Sequence, residues 1–115
     1  MIDKLKQYEV AWAGFVEWLY TKHGDYPFIY EIGWGIKRKN EFISDRELSS
    51  LLIEWLDSKR IYVEIQHYPS ITKKAKIYWH WEIKGELSPM GFVSRSEATE
   101  AGIIKGFEIY NQKEK

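Results

Sequence analysis

Apolar positions along this chain recur with two periods. Over residues 3–22, Leu5, Tyr8, Trp12, Phe15, Val16 and Leu19 return at helical spacing. Asp3 suits the cap at the start of that helix, and Gly24 suits its stop after Lys22 and His23. Gly14 inside it costs up to ~1 kcal/mol of helix propensity, which points to a close helix contact. After the turn Asp25-Tyr26-Pro27 the period becomes two: Phe28, Tyr30, Ile32, Trp34 and Ile36 alternate with their neighbours, so a strand is expected over 28–36. Gly33 and Gly35 beside Trp34 mark a bulge or a close backbone approach. Lys37-Arg38-Lys39-Asn40 reads as a polar turn and 41–43 as a short returning strand.

Ser44-Asp45-Arg46-Glu47 is a capping box. Leu48, Leu51, Leu52, Trp55 and Leu56 follow on one helical stripe, giving a helix over 45–58. Residues 60–68 alternate, with Ile61, Val63, Ile65 and His67 on one face and Tyr62, Glu64, Gln66 and Tyr68 on the other. Residues 76–84 do the same, Ile77, Trp79, Trp81 and Ile83 facing away from Tyr78, His80 and Glu82. Gly85 and Pro89 bracket a turn before a third strand at 90–93. Ser94-Arg95-Ser96-Glu97 is a second capping box, opening a helix that runs to about Asn111. Its stripe of Ala98, Ala101, Gly102 and Ile109 lets it lie close to a sheet. The order α-β-(β)-α-β-β-(β)-α describes a single α+β domain over 1–115, with amphipathic helices packed on a small antiparallel sheet.

Composition narrows the function classes. Seventeen Lys+Arg balance 17 Asp+Glu among 115 residues, which argues against a strongly basic nucleic-acid binder. Absence of Cys removes disulfides, thiolate metal sites and thiol nucleophiles. No stretch free of charged side chains exceeds 8 residues, so no membrane span is expected, and the first residues carry no apolar signal core. A cytoplasmic protein is the expectation. Aromatic residues make up 17% of the chain, six of them Trp, enough to fill a core and still furnish an interface.

Candidate chemistry gathers on the polar face of the 61–84 hairpin. Setting Tyr68 opposite Lys76 puts Gln66 against Tyr78, Glu64 against His80 and Tyr62 against Glu82. Such a Glu64–His80 pair has the chemistry of a general acid and base, and equally that of a structural cross-strand pair. His23, His67 and His80 form no metal-ligand spacing, since His67 and His80 fall on opposite faces by parity. No phosphate loop, nucleotide fingerprint or nucleophile motif is present, so no cofactor is expected. The basic clusters Lys37-Arg38-Lys39, Lys59-Arg60 and Lys73-Lys74-Lys76 are short enough to be solvated or to cap a helix.

Residues 44–113 resemble a group of small uncharacterised proteins encoded by gut-bacterial phages and mobile elements. The matching residues are Leu51-Leu52-Ile53-Glu54-Trp55-Leu56, Ile77-Tyr78-Trp79-His80-Trp81-Glu82-Ile83 and Ser94-Arg95-Ser96-Glu97-Ala98-Thr99-Glu100-Ala101. The resemblance implies a setting in which small proteins bind and block a host protein. The order of elements over 45–111 also looks like a double-stranded-RNA-binding domain, whose contacts would fall on Lys73, Lys74, Lys76 and Arg95. Glu97 and Glu100 stand where that family carries lysines. The expected function is therefore a non-enzymatic binding module. It engages a protein partner, or a second copy of itself, through Trp34, Tyr62, Glu64, Tyr68, Tyr78 and His80. Nucleic-acid binding is the disfavoured alternative, and an acid/base enzyme using Glu64 and His80 is another, which would need a pocket around that pair.

Overall fold

The computed structural model describes residues 1–22, 28–31, 35–38, 41–69 and 77–114. The elements run α1 (Ile2–Leu5), α2 (Glu9–Lys22), β1 (Phe28–Glu31), β2 (Gly35–Arg38), β3 (Glu41–Phe42), α3 (Asp45–Ser58), β4 (Glu64–Pro69), β5 (Ile77–Ile83), β6 (Glu86–Leu87) and α4 (Arg95–Glu114). The α+β class and the order of elements are those of the sequence pattern. The strands form two antiparallel sheets, β1-β2-β3 and β4-β5-β6.

Three boundaries differ from expectation, each for a local reason. The helix over 3–22 breaks at residues 6–8. In an unbroken helix the amides of Val10 and Ala11 would bond the carbonyls of Lys6 and Gln7. Instead both donate to Oδ1 of Asn111 near the end of α4, at 3.0 and 3.3 Å. The strand over 28–36 is two strands, β1 and β2, paired antiparallel from Phe28↔Arg38 to Glu31↔Gly35. Period-two alternation counted across Gly33 therefore joins two elements, and Lys37 and Arg38 belong to β2 rather than to a turn. The strand at 90–93 is also replaced. β6 turns back from β5 at Lys84-Gly85, both at positive φ (53° and 81°), so the turn lies at 84–85 rather than between Gly85 and Pro89. Beyond Leu87 the Ser88 amide still donates to the Trp81 carbonyl at 2.9 Å, and Phe92 then rejoins the sheet, bridging to Trp79. Pro89, which has no N–H to give a ladder, lies in the bulge between them.

Residues 44–58 behave as the capping box directs: Ser44 Oγ accepts from the Glu47 amide at 3.1 Å. Helix α3 ends with Arg60 left-handed (φ 62°), and the Ile61 amide closes on the Leu56 carbonyl. Ser94 Oγ caps α4 in the same way, at 3.2 Å from the Glu97 amide.

The core lies between α1, α2, α3, α4 and the inner face of β4-β5. Trp55 is its centre, fully buried, with Phe15, Phe107 and Tyr110 set edge-on around it at 6.0, 5.2 and 4.9 Å. Trp81 is buried too, whereas Trp12, Trp18 and Trp79 are half-buried. Gly102 brings α4 onto the sheet: a β-carbon there would stand 2.7 Å from Val63 Cγ1 and 2.9 Å from Trp81 Cβ. Among the described residues no helix is long and apolar enough to cross a membrane.

Candidate functional site

Alternation over 61–68 places its two faces as the sequence predicts. Burial alternates over 61–64, with Ile61 and Val63 buried and Tyr62 and Glu64 exposed; further on, Ile65 and Gln66 are both half-buried and His67 and Tyr68 both exposed, and pairing with β5 begins only at Glu64. The register corrects the expected partners by two residues. Glu64 faces Glu82, Gln66 faces His80 and Tyr68 faces Tyr78. A two-residue shift keeps every side chain on its own face. It does move Glu64 from opposite His80 to a diagonal position, where separations run to about 7–8 Å.

What the outer face holds is a hydrogen-bonded chain rather than a Glu–His pair. Tyr68 OH donates to Gln66 Oε1. That fixes the amide so that Gln66 Nε2 donates to Glu82 Oε2 at 2.7 Å and to Glu64 Oε2 at 3.3 Å. His80 is engaged elsewhere. Its Nδ1 lies 3.1 Å from Ser88 Oγ, and Ser88 Oγ donates to the Met90 carbonyl at 2.9 Å. Ser88 is buried, so this contact ties the 88–91 bulge to β5. Gly91 passes close above: a β-carbon there would be 2.6 Å from Tyr78 Cβ and 3.2 Å from His80 Nε2. Tyr68 packs edge-on against the His80 ring at 5.7 Å.

Of the expected partner-binding residues, the structure brings Tyr62, Glu64, Tyr68, Tyr78 and His80 to this one face. Trp34 lies outside the described residues, as do Lys73, Lys74 and Lys76. Arg95 sits apart from the face, exposed at the start of α4, with its guanidinium 6.0 Å from the centre of the Trp79 ring. His67 lies tilted against Trp79 at 4.9 Å, opposite in facing to His80 as parity requires.

The apolar rim of this face is not among the residues that the sequence pattern singles out. Leu87, paired to Glu82, and Met90 and Val93 in the segment beyond it are all exposed. A signal was available in the bulge chemistry of Ser88-Pro89, which lifts its neighbours out of regular pairing.

Apart from this face, an open groove of about 910 Å³ lies between the first turns of α3 and α4 and the start of β4. Arg46 and Arg95 line it above Ile53, Val63 and Ile65. Glu100 in its wall is matched by the Met1 amine and Lys4 Nζ at 3.9 and 3.8 Å. Neither Glu64 nor His80 borders this groove. Among the described residues no three His, Asp or Glu side chains come together to hold a metal ion.

Comparison with protein-family models, curated proteins and solved structures returns no significant match to this chain.

Proposed function

We propose that this chain is a non-enzymatic binding module that engages a protein partner through the outer face of β4-β5-β6. One observation carries this reading. Tyr62, Tyr68, Leu87, Met90 and Val93 are 56, 41, 44, 64 and 74% exposed, and all five belong to this sheet and the segments flanking it. Apolar side chains gathered on a face that the helices do not cover mark interaction surfaces, whereas scattered ones do not. Tyrosine adds area at low rotamer cost. The central Tyr68–Gln66–Glu82 chain holds the polar groups still, so little order remains to be gained on binding. A role as a phage- or mobile-element-encoded inhibitor of a host protein is the narrower form, supported by the resemblance of residues 44–113.

The test compares paired variants in partner capture from cells that express the protein. Tyr62→Ala with Tyr68→Ala is expected to abolish stoichiometric, nuclease-resistant capture. Val10→Ala with Tyr20→Ala, the exposed pair on α2, leaves it intact. Equal capture by both double variants, or capture only of nuclease-sensitive nucleic acid, contradicts the reading.

A further inference from the structure

Resting on that reading of the face, we infer that its partner presents an arginine, seated on the carboxylates of Glu64 and Glu82 between flanking tyrosines.

Glu64 and Glu82 are directly opposed across β4 and β5. Like charges in that position destabilise a sheet. Such a pair is ordinarily relieved by a cation, and this chain has as many basic as acidic side chains. Yet among the described residues neither carboxylate makes an ion pair. They share one neutral amide, Gln66 Nε2, each through Oε2. An ionised carboxylate offers about four acceptor sites, so most of the acceptor capacity of the pair is left unused among the described residues.

The surroundings favour a guanidinium over other cations. Tyr62 and Tyr68 lie on the same face as the two carboxylates and are exposed. A planar guanidinium stacks on tyrosine rings and forks to carboxylates, where a lysine ammonium is a point charge. Leu87, Met90 and Val93 then meet apolar neighbours of the arginine along the partner segment. Nucleic acid is the wrong sign for this face, because its phosphates would meet two carboxylates.

The experiment titrates the full isotope-labelled chain with two capped pentapeptides, Gly-Leu-Arg-Val-Gly and its counterpart with citrulline for arginine. Citrulline keeps the shape and removes the charge. The arginine peptide is expected to move the amide resonances of 64–68 and 78–82 and to bind at least about tenfold tighter than the citrulline peptide, as close interfacial charge pairs do. Glu64→Gln with Glu82→Gln is expected to erase that preference, with unaltered resonance dispersion reporting an intact fold. Equal binding of the two peptides, no binding of the arginine peptide, or a preference that survives the double variant overturns the inference. So does a short RNA duplex that shifts the same amides. If partner capture is lost with Tyr62→Ala and Tyr68→Ala but untouched by Glu64→Gln and Glu82→Gln, the arginine inference fails and the face reading stands. If capture survives all four substitutions, both fail.

Discussion

Asn111 caps α2 from the far end of the chain: its Oδ1 accepts from the amide of Val10, 101 positions before it, at 3.0 Å. The first amides of a helix have no partner within it. Residues 6–8, which precede α2, contribute no short side-chain acceptor of the usual capping kind. Asn111→Ala is therefore expected to cost ~1 kcal/mol of stability, and Asn111→Asp much less. Chemical denaturation of the three proteins checks this, and equal losses for Ala and Asp would contradict the cap.

Glycine positions differ in what they exclude. At Gly14 a β-carbon would stand 3.0 Å from Trp55 Cζ2, and that indole is hemmed by Phe15, Phe107 and Tyr110. Gly14→Ala gains ~1 kcal/mol of helix propensity and is still expected to destabilise, because overpacking a full core costs about 1–3 kcal/mol. Gly102→Ala, with closer contacts to Val63 and Trp81, is expected to cost more. Thermal melts that rank Gly14→Ala below Gly102→Ala would refute this packing.

Much of this was legible in the chain and some was not. Capping boxes at Ser44 and Ser94, with the stripe Leu48, Leu51, Leu52, Trp55 and Leu56, describe local chemistry, and α3 and the start of α4 appear where they indicate. The break before α2 was not legible, since the group that makes it favourable arrives from α4 through tertiary packing. The hairpin register escaped for a related reason. Alternation fixes which face a residue takes, but not which residue it meets, and that depends on the connection. So Tyr62, Glu64, Tyr68, Tyr78 and His80 were found together on one face, while the bridging role of Gln66 and the tie from His80 to Ser88 were not.

Among the described residues, two other than glycine sit in left-handed backbone: Arg60 ending α3 and Lys84 in the β5–β6 turn. Arg60→Gly is expected to stabilise by ~0.5–1 kcal/mol, because glycine meets no penalty there. Lys84→Asn, completing the Asn-Gly pair that two-residue hairpins favour, is expected to add a few tenths of a kcal/mol. Denaturant midpoints that fall for both variants would refute these backbone assignments.

Stability should depend on pH through Asp57. Burial, and then the charge of Glu54, push its carboxyl above the ordinary value of 3.8. A raised folded value means that the protonated form is the one the fold favours. Its stabilisation is present below 3.8 and lost as pH rises through the folded value. The last turn of α3 has no basic side chain to offset the charge. Asp57→Asn is expected to stabilise the protein at pH 7 by about 0.3 kcal/mol, small because the group is mostly exposed, and to give no advantage at pH 3. A difference independent of pH would contradict this assignment.

The central claim is that the outer face of β4-β5-β6 meets a protein. Its most direct test is site-specific photo-crosslinking in cells, with a photoreactive phenylalanine at 62 or 68, and at 10 or 20 for comparison. Discrete protein adducts from 62 and 68, with none from 10 and 20, are the expected result. Adducts only from 10 and 20, or nucleic acid in place of protein at 62 and 68, would contradict it.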